Sequence, residues 1–156
     1  MYWMLLPFRR YFDFEGGSRR MEYWMFALLN LIVSAVLAGP FVVSMLTMET
    51  AMGGSDEAVA EALMGGVGTL GTIGLGLYGI FALAIIIPSI AVTVRRFHDR
   101  DMSGWWYLGF IVASFIPLLG FVASIALIVI MFLPGTPGPN RFGPDPKDPS
   151  NAEVFA

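Results

Sequence analysis

Three stretches of this chain, residues 23–48, 62–94 and 105–133, carry no charged side chain. A helix needs roughly 20 apolar residues to cross a hydrocarbon core, and each stretch exceeds that. In lipid, backbone polar groups must be satisfied within the structure that carries them, which leaves helices and closed barrels. Barrel strands alternate polar with apolar side chains, and these stretches do not alternate. Composition agrees, with 56% of the 156 residues hydrophobic and 13% charged, against about 25% charged in a soluble domain. The sequence predicts an all-α integral membrane protein.

The expected spans are 22–47, 67–94, 104–117 and 119–134, within a helical membrane domain over 1–134. The first span serves as an uncleaved insertion signal, with Ser18 as its N-cap after a turn at Gly16-Gly17 and a kink at Pro40. The last stretch has two readings. As one helix, 105–133 would reach ~43 Å, longer than the ~30 Å hydrocarbon core. It is either a single tilted, kinked span or a short hairpin broken at Pro117–Gly120. Charge favours the hairpin, because basic residues near membrane ends collect in the cytoplasm. Arg9, Arg10, Arg19 and Arg20 put the N-terminus inside, and the loop 47–66, with Glu49, Asp56, Glu57 and Glu61, lies outside. Arg95, Arg96 and Arg100 return the chain to the inside, and Arg141 and Lys147 hold the tail there. About four transmembrane helices with both termini cytoplasmic result.

Smaller features follow. DEAVAEALM, 56–64, reads as a short helix capped by Ser55. Gly65, Gly68, Thr72, Gly76 and Gly79 recur at helical spacing, and such a small-residue stripe lets another helix approach closely, within the monomer or in a homo-oligomer. Residues 135–156 are dense in proline and glycine and read as an extended, flexible tail. There is no cysteine.

Between the second and third spans stands RRFHDRDMSGWW, 95–106, which holds the only histidine of the chain. Topology puts it on the side of Arg19 and Arg20, so the arginines converge there. Glu22 and Asp99 are placed to pair with arginines, Ser103 to cap the third helix, and Trp105 and Trp106 to anchor it at headgroup level. The candidate site is therefore Arg19, Arg20, Glu22, Arg95, Arg96, His98, Asp99, Ser103, Trp105 and Trp106. Two uses suit it. It clasps helix ends, and it engages an anionic lipid headgroup or a protein partner, since guanidinium pairs with phosphate in bidentate geometry.

The two segments carry a resemblance. GGSRRMEYW, 16–24, is similar to a G-R-x-R-R-x-E-[YF]-W signature. RRFHDRDMSGWW, followed by IPLLG at 116–120 and PGTPGPNRFGPDP at 134–146, resembles R-R-[LF]-H-D-x-x-x-S-G-W-W … I-P-L-[IL]-G … G-x-x-G-x-N-[RK]-[YF]-G-P-[DN]-P. These motifs are those of the domain of unknown function 805 family of bacterial inner-membrane proteins. The resemblance implies a small multi-span protein of the inner (plasma) membrane and no established activity. Gly17 stands where an arginine is common and Met102 where a basic residue is common, so an anion site built on those charges is weaker here.

Other function classes are disfavoured. His98-Asp99 invites a general-base reading, but adjacent residues on a helix do not face each other. There is no second histidine, no metal-ligand spacing and no G-x-S-x-G around Ser103, so neither enzyme activity nor a cofactor is expected. Nine basic residues against twelve acidic ones, with no basic stripe beyond the membrane ends, argue against nucleic acid. The alternative is a small transporter or channel. It lacks ionisable groups within the spans, where such groups mark ion pathways, and rests on the break near Pro117 and on polar residues such as Asn30 and Ser34.

Overall fold

The computed structural model describes residues 2–148, with every side chain in that range except those at 62–64 and 66–67. The described residues form six helices and no strand. They are α1 (Tyr2–Arg9), α2 (Arg20–Ala51), α3 (Asp56–Met64), α4 (Gly66–His98), α5 (Trp105–Ser114) and α6 (Pro117–Phe132). Of these, α2 and α4 are long and apolar enough to cross a membrane, whereas α5 and α6 have 10 and 16 residues. The chain divides into two compact units, Leu28–Ile86 and Met1–Ala27 with Ile87–Ala156.

In the unit Leu28–Ile86, α2 continues through Pro40 without interruption to Ala51. Ser55 caps α3, its Oγ accepting from the Ala58 N–H at 3.3 Å. Helices α2 and α4 approach closely at Gly71 and Gly74. A Cβ at Gly71 would lie 3.1 Å from the Phe41 Cα, and one at Gly74 would collide with the Leu37 carbonyl oxygen. Two members of the stripe read from the sequence, Gly76 and Gly79, have nothing within 4 Å of a Cβ. At ~100° per residue, Gly71 and Gly74 fall well round the helix from that stripe.

In the other unit, Phe8 packs edge-on against Phe26, with centroids 5.4 Å apart, and Leu6, Phe26, Phe97 and Met131 are buried. Helix α4 stops in a tight turn. Asp101 takes the left-handed conformation (φ 55°), and the Met102 N–H reaches back to the Phe97 carbonyl at 3.0 Å. Helices α5 and α6 pack against each other. The break between them lies at Phe115-Ile116, earlier than the expected Pro117–Gly120. Proline fits the first helical position and forces its predecessor out of the helical region. Ile116 is extended and Pro117 opens α6. Gly120 instead lies in the first turn of α6, where a Cβ would stand 2.9 Å from the Ser114 backbone.

Over the described residues, the Pro/Gly-rich segment from 135 onward makes specific contacts with the knot. The Thr136 N–H and hydroxyl donate to the Asp99 carbonyl at 2.8 and 3.0 Å, and Asn140 Nδ2 donates to the His98 carbonyl at 2.8 Å. Proline and glycine here shape a strap whose Thr136 and Asn140 donate to main-chain carbonyls of the knot, which composition does not reveal. Residues 149–156 lie outside the described range.

Candidate functional site

The knot RRFHDRDMSGWW ends α4 and starts α5, and its two adjacent arginines turn inward. Arg95 and Arg96 are both 0% exposed. Arg95 donates to Glu22 Oε1 at 2.7 Å, to the Asp13 carbonyl at 2.7 Å and to the Arg10 carbonyl at 3.2 Å. Its own carbonyl accepts from the Ser18 N–H at 3.1 Å. One guanidinium thus joins the end of α4, the first turn of α2 and the segment after α1.

Arg96 faces a second set of partners. It pairs with Asp99, a helical turn on, and donates to the Leu133 carbonyl. Weaker bonds run to the Met131 carbonyl at 3.4 Å and to the Ser18 carbonyl at 3.4 Å. Gly135 lies against the Asp99 carboxylate so closely that a Cβ there would overlap it. Burial pushes the Asp99 carboxyl above the ordinary carboxylate value, while the charges of Arg96 and Lys147 pull it down. Asp13, on the rim, behaves oppositely. Its partial burial raises it, but hydrogen bonds from Arg10 and the Glu15 N–H, with the charges of Arg10 and Arg95, outweigh that and hold it below the ordinary value.

The other sequence-predicted residues are spread around this core. Arg19 donates to the Pro146 carbonyl and lies over the Trp3 ring, 5.4 Å from its centroid. Arg20 is exposed and reaches the Phe132 carbonyl at 3.4 Å. Arg100 holds the Pro134 carbonyl at 2.9 Å. Trp105 and Trp106 are 78% and 58% exposed. The N-cap of α5 is Gly104, with Ser103 one residue earlier, its Oγ accepting from the Trp105 N–H at 3.4 Å.

His98 is not oriented by its neighbour Asp99. Its ring stacks flat on Phe142 of the strap, with centroids 4.0 Å apart and planes at 4°, while the Asp99 carboxylate is taken by Arg96. His98 and Phe142 line an apolar groove of about 540 Å³ with Phe14, Val94, Trp105 and Tyr107. Among the described residues no three His, Asp or Glu side chains gather as a metal site.

Sequence reasoning missed the carbonyl partners of the arginines, at Arg10, Asp13, Ser18, Met131 and Leu133. Any residue supplies a carbonyl, so no residue type marks them. The strap residues were within reach, because NRFGPDP combines turn formers with the arginine and aromatic that touch the knot.

Comparison with known proteins bears on what such a knot is for. Residues 11–144 match a family described as protein of unknown function (DUF805). The chain belongs to the DUF805 family. The match takes in both buried ion pairs and most of the strap, and begins after α1. The chain is 41% identical to inner membrane protein YhaH of Escherichia coli K12 over 147 residues, covering 94% of this chain and 98% of that protein. It is 34% identical to inner membrane protein YhaI of the same organism over 151 residues, covering 97% of this chain and all of that protein. No solved structure matches. DUF805 membership and the apolar helices make this a helical membrane protein of the inner-membrane type.

Proposed function

We propose that this chain is a non-enzymatic, multi-pass inner-membrane protein whose knot is a clasp that fixes helix ends at the cytoplasmic face. The observation that carries the reading is the complete burial of Arg95 and Arg96, whose terminal guanidinium nitrogens are engaged by two carboxylates and by carbonyls from the α1–α2 connection and the end of α6. A guanidinium so enclosed is not free to receive a phosphate. The Glu22–Arg95 pair joins the start of α2 to the end of α4, and Arg96 brings the end of α6 to the same place. Those ends then share one membrane face, and the basic residues near them make it the cytoplasmic face.

Contact with anionic headgroups falls to the exposed members of the predicted cluster, Arg20, Trp105 and Trp106, beside the exposed basic residues Arg9, Arg141 and Lys147. An arginine at the cytoplasmic surface contributes on the order of 1 kcal/mol to such contact, and indoles settle at headgroup level. For the transporter alternative the α5–α6 pair offers a cavity of about 200 Å³ that carries Ser114 and Ser124. Both hydroxyls donate to carbonyls of their own helix, at 2.6 and 2.8 Å, which favours the clasp.

Native mass spectrometry of the gently extracted protein tests the reading, with wild type beside Arg20→Ala/Trp105→Ala and Arg96→Ala. The first variant is expected to assemble but to retain less anionic phospholipid, and Arg96→Ala to fail to assemble. A folded Arg96→Ala variant that has lost lipid would reverse the assignment and make the buried arginine the lipid site.

A further inference from the structure

Helices α5 and α6 are too short for the places the sequence assigns them. At ~1.5 Å per residue, the 10 residues of α5 reach about 15 Å and the 16 of α6 about 24 Å. The hydrocarbon core is ~30 Å thick. Both outer ends are tied to the knot. Gly104, before α5, lies against Val94 of α4, and the Met131 and Leu133 carbonyls at the end of α6 accept from Arg96. The pair therefore begins and finishes at one level, and only its tip at Phe115-Ile116 can lie elsewhere.

We infer that α5 and α6 form a re-entrant hairpin, which enters the membrane from the side of the knot, turns within the hydrocarbon and leaves by the same side. The inference rests on the proposed placement of the knot at one membrane face. The partner of the tip is then lipid acyl chain, and the tip suits it. Phe115, Ile116, Leu118 and Phe121 are 82, 53, 78 and 64% exposed, all apolar. A chain reversal in hydrocarbon must leave few backbone groups unmet, and here the Leu118 and Leu119 N–H groups are the ones without a capping side chain. The Phe115 and Ile116 N–H groups bond back to Val112 and Ala113, the Gly120 N–H bonds to the Ile116 carbonyl at 2.6 Å, and Pro117 has no N–H to satisfy. The hairpin thus occupies lipid on the knot side without emerging opposite.

The absence of native cysteine makes the test direct. Single substitutions Leu118→Cys and Phe115→Cys, both at exposed positions, are treated with a membrane-impermeant maleimide in spheroplasts and in inverted vesicles. Asp101→Cys marks the knot side, and Ser55→Cys marks the α2–α4 connection. The expected result is that neither tip variant labels from either face, that both label fully after denaturing detergent, and that the markers label from opposite faces. Tip labelling from the face that exposes Ser55→Cys would mean that the hairpin crosses. Tip labelling from the knot face would mean that it never enters hydrocarbon. Either overturns the inference. Markers that label from the same face would instead overturn the proposed topology of α2 and α4.

Discussion

Arg95 and Glu22 are a buried pair whose partners cannot be removed one at a time without penalty. Deleting one member of such a pair leaves an uncompensated charge and costs about 3–5 kcal/mol, whereas replacing both with apolar side chains is often close to neutral. Glu22→Met and Arg95→Met should each lower thermal stability in detergent strongly, and Glu22→Met/Arg95→Met should lose less than the two single changes together. Melting curves of the four proteins read the coupling directly. Asp13 gives a pH signature. Its folded value lies below the ordinary one, so the carboxylate stabilises the fold above about pH 4 and that contribution is lost as the pH falls through the lowered value. The deficit of Asp13→Asn relative to wild type should be full at pH 7 and shrink toward pH 3; a deficit that stays constant would mean that charge is not what Asp13 supplies. The carboxylate partners were legible in the sequence because only Glu22 and Asp99 lie at the right helix ends. The main-chain acceptors were not, because a carbonyl leaves no trace in residue type.

The long helices α2 and α4 and the α5–α6 pair were legible from runs without charge, and α3 from its Ser55 cap, whereas α1 was not foreseen. What remained hidden was which face of a helix does the packing. Every face of α4 is apolar or small, so periodicity offered the stripe containing Gly76 and Gly79, and the close approach occurs at Gly71 and Gly74. Overpacking a tight helix contact costs about 1–3 kcal/mol, whereas glycine to alanine on an open helix face gains up to roughly 1 kcal/mol. Gly74→Ala should therefore lower the melting temperature, and Gly76→Ala should leave it unchanged or raise it; equal effects would refute the assignment of the packing face. The break before α6 was placed a few residues late for a related reason. Proline signals a helix boundary, but here it starts the new helix rather than ending the old one.

At the scale of the whole chain, the surprise is the strap. Proline, glycine and charge suggested a segment without structure, yet its carbonyls and amides meet Arg19, Asp99, Arg100 and His98. Stopping the chain after Leu133 should uncover the knot, lower thermal stability and open Arg100 to trypsin; a truncated protein as resistant as wild type would make the strap dispensable. The wiring of the two arginines also has an order in time. Arg95 reaches back to Arg10, Asp13 and Glu22, which a ribosome has already made when Arg95 appears. Arg96 reaches forward as well, to Met131 and Leu133, which do not yet exist. Neighbours in sequence thus close at different stages of synthesis. The cage around Arg96 therefore cannot be complete before α6 has been made, whereas the partners of Arg95 all precede it in the chain.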